Sequence, residues 1–228
     1  MDELLAPAEV DMFLVIALTG AWNRYFFGAH SLSLAPHAYG PASSPGFIQQ
    51  LEMESNGKRV HLDFNQVTVS TASVLWSGLG IHGQHDYFHL IHPSAHTVLV
   101  DFIGMIQTER ELSLVRSPQN AVLFNRKVQA QALELLRDPE QNLAALRAEG
   151  LSESEPILLC PHRTNAGNIP SSMLWIERLT SQAWGAFVAL YMHKGVCLPA
   201  LWGINPFYQS EVELGKSIVR QMSYVRGE

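Results

Sequence analysis

The residues best suited to chemistry in this sequence lie in one short stretch, Gln50–Lys58, which reads QLEMESNGK. Asn56-Gly57 is a turn dipeptide, and Gly57 tolerates the left-handed conformation that often follows a helix, so the stretch predicts a helix end. Gln50 and Glu54 are four residues apart, so they share one helix face and could bind one ligand together. A glutamate placed in this way could serve as a general base.

Two further stretches contain residues that take part in proton transfers. Gly83–His85 reads GQH and places a histidine near the start of a predicted helix. Val212–Lys216 reads VELGK and ends in a lysine.

Each stretch also has a simpler interpretation. Gln50–Lys58 could be the end of an ordinary amphipathic helix, with Glu52 and Glu54 in solvent. His85 could be a capping residue at a helix start, and Lys216 a solvated charge on a surface helix.

The three stretches occur in the order and at the approximate spacing seen in glucose-6-phosphate isomerases, and the chain resembles the C-terminal half of that family. The likeness runs from about Leu14 to Lys216 and includes TGAWNRYFFGA, GQHDYFHLIH, AGNIPSS and WGINPFYQSEVELGK. It implies an α/β fold: a three-layer αβα sugar-isomerase (SIS-type) domain with a mainly parallel, flavodoxin-like sheet. It further implies a single domain over residues 1–228, without the family's N-terminal phosphate-binding half.

The activity that the resemblance implies is aldose–ketose isomerisation of glucose 6-phosphate and fructose 6-phosphate through an enediolate, in glycolysis and gluconeogenesis. By resemblance, Glu54 is the base that moves the proton between C1 and C2, and Gln50 binds the sugar. His85 and Lys216 match the residues that open the sugar ring. No cofactor is expected, because the reaction transfers protons only.

The resemblance also implies partners. In the family, each active site of a dimer borrows its histidine from the neighbouring subunit, so His85 would act in trans. The family's N-terminal half supplies the loop that binds the substrate phosphate and an arginine for the enediolate, and neither is found in this sequence. The chain is therefore expected to need a separate N-terminal half or a homodimer, and to show little turnover alone.

The sequence departs from the family pattern at Trp76–His85, WSGLGIHGQH, which lacks the family's acid and proline. It departs again at Phe207–Lys216, FYQSEVELGK, where Tyr208, Ser210 and Glu211 are substitutions, and these exchanges lose polar or charged partners. Three hypotheses follow. The chain could be a partial isomerase completed by another half, or a non-catalytic sugar-phosphate-binding module or pseudoenzyme remnant. It could also be a different aldose–ketose isomerase that works alone.

Composition narrows the class of protein independently. With 228 residues and 47% hydrophobic content, the chain can bury a sizeable core. A net charge of -6 without basic blocks excludes nucleic acid and anionic membranes as expected partners. The apolar run Met12–Thr19 is too short to span a membrane. Cys160 and Cys197 are interpreted as buried free thiols in a reducing, cytoplasmic compartment, and the histidines show no metal-binding pattern.

Hydrophobic patterns and turn residues predict alternating strands and helices. The predicted strands are 31–34, 72–76, 97–102 and 172–179, and the predicted helices are 9–27, 46–55, one opened by Gly83, 117–137, one from Asp138-Pro139 to Gly150, 180–191 and 211–226. Residues 151–168 are expected to form a long irregular connection. This alternation predicts a parallel sheet.

Overall fold

The computed structural model describes residues 11–37, 44–78, 83, 86–91, 97–107, 127–135, 138–149, 154–164 and 167–226. Within them, four strands form one sheet in which all neighbouring strands are parallel. The strands are β1 Ser31–Pro36, β2 Val74–Ser77, β3 Val98–Gln107 and β4 Ser171–Arg178. Their order, β2-β1-β3-β4, is that of a flavodoxin-like sheet. The predicted α/β fold class and parallel sheet are confirmed.

The described residues also form helices. They are α1 Met12–Phe26, α2 Ser44–Asn56, α3 Phe88–Ile91, α4 Pro139–Ala148, α5 Glu155–Arg163, α6 Ser181–Trp202 and α7 Ser210–Arg226. Residues 127–134 are also helical. The predicted helix start at Ser117-Pro118 lies outside the described residues.

The sheet is covered on both faces, which gives three layers. On one face, Leu34 of β1 and Ile103 of β3 pack with residues of α2 and α6. On the other face, Phe102 of β3 packs with Phe88 of α3 and with Leu133. Because successive side chains of a strand point to opposite faces, β3 contributes to both clusters. Burial on both sides explains why β3 is nearly all apolar in sequence.

Helix α1 packs against the C-terminal half of α6 rather than against the sheet. Ala17 of α1 is buried with Leu198, Trp202 and Ile204 in a smaller cluster. Both helices are rich in apolar residues. Nevertheless, none of the helices that the structure describes combines the length and the hydropathy that a membrane crossing requires.

The expectation of an irregular connection over residues 151–168 is wrong, because Glu155–Arg163 forms helix α5. Pro156 lies in the first turn of this helix, where a missing N–H breaks no intrahelical hydrogen bond. The proline therefore starts the helix instead of interrupting regular structure.

The predicted end of α6 at Tyr191 is also wrong, because the helix continues to Trp202 with Pro199 inside it. Tyr191, Lys194, Leu198 and Trp202 are all buried and follow a helical spacing, so packing along the whole length outweighs the cost of the proline. Gly203 then ends the helix in a left-handed conformation, with φ 61°.

The predicted helix starts at Asp138 and Thr180 are confirmed. The Asp138 carboxylate accepts a hydrogen bond from the Gln141 N–H at 2.8 Å, and the Thr180 hydroxyl accepts one from the Ala183 N–H at 3.1 Å. Each cap satisfies one of the backbone donors that a helix start leaves free.

Both cysteines are free thiols, as predicted, but only Cys160 is buried. Cys197 is half-buried, because it lies at the rim of the cluster between α1 and α6. Partial burial still raises the pKa of the Cys197 thiol.

Candidate active site

Helix α2 presents Gln50 and Glu54 because its opposite face is anchored in the protein. Its buried residues are Ser44, Ile48, Glu52 and Asn56. They follow one another at intervals of four and so form one stripe along the helix. Glu52 is 5% exposed, so the alternative in which both acids of this helix end are solvated is wrong.

The Glu54 carboxylate is held between two amides. The Gln50 Nε2 donates a hydrogen bond to Glu54 Oε2 at 3.0 Å, as the four-residue spacing predicts. The Gln209 Nε2 donates a hydrogen bond to Glu54 Oε1 at 2.8 Å. Glu54 is half-buried, whereas Gln50 and Gln209 are exposed, so the carboxylate is oriented and still open to a ligand.

The chain turns sharply just beyond Glu54. The Gly57 N–H donates a hydrogen bond to the Met53 carbonyl at 3.0 Å, and the Lys58 ammonium donates one to the Glu54 carbonyl at 2.7 Å. Gly57 does not adopt the left-handed conformation that the sequence predicts. A Cβ at Gly57 would lie only 2.6 Å from the Met53 carbonyl oxygen, so the glycine is required by this close approach.

Gln209 lies on the connection from α6 to α7, and several contacts fix that connection. The Leu62 N–H donates a hydrogen bond to the Gly203 carbonyl at 2.7 Å, and Ile204 forms a β-bridge with His61. The Asn205 side chain accepts a hydrogen bond from the Phe207 N–H at 2.9 Å. Gln209 therefore approaches Glu54 from a fixed segment.

Sequence reasoning did not select Gln209, although it stands within the FYQSEVELGK stretch that carries part of the resemblance. It is a polar residue between Tyr208 and Ser210, two positions that depart from the family pattern. A polar residue retained between two substitutions is the signal that could have identified it.

The structure does not place Lys216 in contact with Glu54. The Lys216 Nζ lies 2.8 Å from Glu213 Oε1, one turn earlier on α7, and both side chains are 57% exposed. Exposed pairs of this kind hold a side chain only weakly, so Lys216 can change partner at little cost.

The predicted histidine, His85, lies outside the described residues, as does Gln84. Gly83 of the same stretch is described and buried. A Cβ at Gly83 would lie 2.5 Å from the Tyr87 ring, so close packing against that ring requires a glycine at the start of the GQH motif.

A second polar contact lies between α6 and the sheet. The Tyr191 hydroxyl lies 3.2 Å from Asp101 Oδ2 of β3. Burial raises the pKa of Asp101, an effect that the nearby Lys194 ammonium opposes. Burial and the Asp101 carboxylate raise the pKa of Tyr191 well above its usual value, so Tyr191 donates the hydrogen bond.

Within the described part of the chain, no group of histidine, cysteine, aspartate and glutamate side chains could hold a metal ion. The arrangement around Glu54 consists of one carboxylate and two amides. Such a group can bind the hydroxyls of a polar ligand and exchange a proton with it.

Fold and site together define a flavodoxin-like α/β domain that presents a carboxylate between two amides at the end of α2. A family model for phosphoglucose isomerase matches residues 1–225. The chain therefore belongs to the phosphoglucose isomerase family. This confirms the family and the fold class that the sequence motifs predict.

Individual relatives agree with this assignment. The chain is 39% identical to the glucose-6-phosphate isomerase of Aromatoleum aromaticum over 230 residues, which cover 100% of this chain and 41% of that protein. It is also 39% identical to the enzyme of Deinococcus deserti over 226 residues, with coverages of 97% and 40%. A crystal structure of the glucose-6-phosphate isomerase from Chlamydia trachomatis superposes with a TM-score of 0.81 and 29% identity.

The structural match covers 96% of this chain and 39% of the Chlamydia trachomatis chain. The sequence matches have the same proportions, so this chain spans about two fifths of the length of the relatives it matches.

Proposed function

We propose that this chain supplies the base of a glucose-6-phosphate isomerase site, and that Glu54 is that base. The observation that carries the proposal is the position of the Glu54 carboxylate, which accepts hydrogen bonds from Gln50 and Gln209 on its two oxygens. A carboxylate held in one orientation can abstract a proton at one carbon and return it at the next.

In the proposed reaction, Glu54 takes the proton from C2 of the open-chain aldose and delivers it to C1 of the enediolate, while the hydroxyl proton of O2 passes to O1. Gln50 and Gln209 orient the carboxylate and bind substrate hydroxyls. Lys216 and His85 open the sugar ring: one protonates the ring oxygen and the other removes the proton of the C1 hydroxyl. This step needs Lys216 to leave Glu213, which the exposure of that pair permits.

The solvent exposure of the site supports the proposal that this chain is only part of an enzyme. A base that must keep its proton during the reaction works best where water is excluded, but Gln50 and Gln209 are exposed. The relatives are glucose-6-phosphate isomerases, so glucose 6-phosphate is the proposed substrate. Residues that would hold the phosphate are therefore proposed to come from outside this chain.

Two helices carry apolar faces that such a partner would cover. The exposed apolar side chains share one face on α1 and another on α7, and each is between 43% and 69% exposed. They are Val15, Leu18, Trp22 and Phe26 on α1, and Leu214, Ile218 and Met222 on α7. We propose that an N-terminal isomerase half or a second copy of this chain binds there.

The remaining features follow from the same proposal. Residues 1–228 act as one sugar-isomerase-type domain, in the cytoplasm, as part of glycolysis and gluconeogenesis. The alternative is a non-catalytic sugar-phosphate-binding module, which the substitutions beside Gln209 favour because Tyr208 and Ser210 replace family residues. The two proposals differ in whether the chain, once complemented, turns over fructose 6-phosphate: the partial isomerase does and the binding module does not.

The test is a coupled assay of fructose 6-phosphate consumption by the chain alone and with the N-terminal half of a relative. We expect little turnover alone and a clear rate on complementation, which Glu54→Gln abolishes. Glu149→Gln is the matched control, because Glu149 forms an exposed ion pair with Arg163 far along the chain. Sugar-phosphate-induced stabilisation without turnover would favour the binding module.

A further inference from the structure

A buried ion pair lies on the opposite face of α2 from the candidate base. Glu52 precedes Glu54 by two residues, so the two carboxylates point to different sides of the helix. The Lys194 Nζ of α6 lies 3.6 Å from Glu52 Oε2, and both side chains are 6% exposed. This pair joins the helix that carries the candidate base to the longest helix that the structure describes.

Other groups around the pair make its position specific. The Lys194 Nζ lies 5.7 Å from the centre of the Tyr191 ring. The Arg24 guanidinium of α1 attracts the Glu52 carboxylate and donates hydrogen bonds to the Ser73 hydroxyl at 3.0 Å and the Ser70 carbonyl at 2.6 Å. Glu52 is therefore attracted by cations from both α1 and α6.

The two helices approach closely beside this pair. A Cβ at Gly195 would lie 3.4 Å from the Leu51 side chain, which leaves little space between α6 and α2. Leu51 and Gly195 are the sequence neighbours of Glu52 and Lys194. Close packing and an ion pair at the same level restrict both sliding and rotation of α2.

Burying an ion pair between two helices has a free-energy cost. Apolar residues of similar volume usually stabilise a protein as well or better, because the charges lose their hydration. What an ion pair adds is direction, since it favours one relative orientation of the two helices. A rotation of α2 about its axis would move Gln50 and Glu54 away from Gln209.

We propose that Glu52 and Lys194 are positioning residues that fix the rotation of α2 and so keep Glu54 within reach of Gln209. The effect of this pair on catalysis rests on the proposed function of Glu54. The geometric part concerns the contact between Glu54 and Gln209, which can be measured without turnover.

The test compares the purified chain with the Glu52→Leu/Lys194→Met double variant and with Glu52→Gln. The side-chain amide resonance of Gln209 in a ¹H–¹⁵N spectrum reports its hydrogen bond to Glu54. The pair of amide signals that disappears in Gln209→Leu identifies this resonance, and Glu54→Gln gives its position without the carboxylate. We expect the double variant to stay folded, while the Gln209 resonance moves toward its position in Glu54→Gln. Glu52→Gln should move it in the same direction.

Two controls separate positioning from general loss of stability. Leu133→Ala creates a cavity on the other face of the sheet and should lower the unfolding midpoint without moving the Gln209 resonance. Glu149→Gln should change neither quantity. An unchanged Gln209 resonance in a folded pair variant would overturn the proposal, and so would unfolding of both pair variants, because the pair would then serve stability alone.

Complementation gives the catalytic consequence. If Glu54 is the base, the double variant should lower kcat on the order of a hundredfold, because small displacements of reacting groups have effects of that size. Absence of turnover in every sample, the unmodified chain included, would contradict the proposed function and leave the resonance measurement to decide the positioning role.

Discussion

At the scale of single residues, the site is defined by how Glu54 is held. Each of its carboxylate oxygens accepts one amide hydrogen bond, from Gln50 within the helix and from Gln209 beyond the end of α6. The first contact could be predicted from the sequence, because a spacing of four places two residues on one helix face. The second joins residues 155 positions apart, and no local pattern predicts a contact over that distance.

Gln209→Leu tests the contact that the sequence did not predict. The variant removes the amide that orients Glu54 Oε1, so we expect turnover of the complemented chain to fall about tenfold to a hundredfold. Gln131→Leu is the matched control, since Gln131 is an exposed glutamine on the helical residues 127–134. Equal rates for the two variants, measured in the coupled assay, would show that Gln209 has no part in the reaction.

Asp101 gives a prediction about pH. Burial raises its pKa in the folded chain, so folding favours the protonated carboxyl. Its stabilising contribution is therefore complete below the unfolded pKa, about 3.9, and is lost as the pH rises through the raised folded value. Asp101→Asn should thus be more stable than the unmodified chain at pH 7, and this difference should shrink as the pH falls toward 4.

Urea unfolding at several pH values measures that difference in the free energy of unfolding. Tyr191 donates its hydrogen bond to an oxygen that the asparagine side chain can retain. If the asparagine variant were less stable at pH 7, or the difference did not depend on pH, the Lys194 ammonium would outweigh the cost of burying Asp101.

At the scale of elements, α2 and its turn set the position of the base. The sequence predicts that helix and its end correctly, because Asn56-Gly57 stops it and the buried residues repeat at intervals of four. The reason for a glycine at position 57 differs from the expectation. Gly57 is needed because a Cβ would collide with the Met53 carbonyl oxygen, and its backbone is not left-handed. Such a close approach depends on the neighbouring turn and has no signature of its own.

Gly57→Ala tests this account of the turn. The new Cβ would lie 2.6 Å from the Met53 carbonyl oxygen, a backbone atom that cannot move away easily. We expect the free energy of unfolding to fall by about 1–3 kcal/mol. Gly46→Ala in the same helix is the control, because a Cβ there meets nothing within 4 Å and alanine favours a helix. Chemical denaturation of both variants checks the difference, and equal stabilities would contradict the account.

The elements that the sequence mispredicts share one cause. Residues 151–168 and the segment after Tyr191 are predicted to be irregular, but Pro156 lies in the first turn of α5 and Pro199 lies inside α6. Burial against neighbouring helices decides these cases, and a local pattern does not contain that information. Strand β3 is easier to predict, because it is nearly all apolar and is buried over most of residues 98–103.

At the scale of the whole molecule, the chain is a folded α/β domain that exposes large apolar side chains on two of its helices. It matches relatives along two fifths of their length, and the faces of α1 and α7 carry large apolar side chains in solvent. Monomeric proteins seldom leave such continuous apolar faces uncovered.

Association should therefore depend on these faces. We expect the chain to form dimers or larger species, or to bind an N-terminal isomerase half, and Trp22→Ser/Phe26→Ser to weaken that association. Sedimentation velocity measures the change, with Ile157→Ser/Leu158→Ser on α5 as the control for removing exposed apolar side chains elsewhere. A chain that stays monomeric and does not bind the added half would contradict the prediction.

The central claim is that Glu54 moves a proton between two sugar carbons. Its most direct test is the fate of hydrogen when the complemented chain converts glucose 6-phosphate in D₂O. We expect deuterium at C1 of the fructose 6-phosphate formed, because the protonated Glu54 carboxyl exchanges its proton with solvent in a fraction of the turnovers. Glu54→Gln should abolish this incorporation, and Glu149→Gln should retain it. Incorporation that persists in Glu54→Gln at the rate of the unmodified chain would contradict the claim.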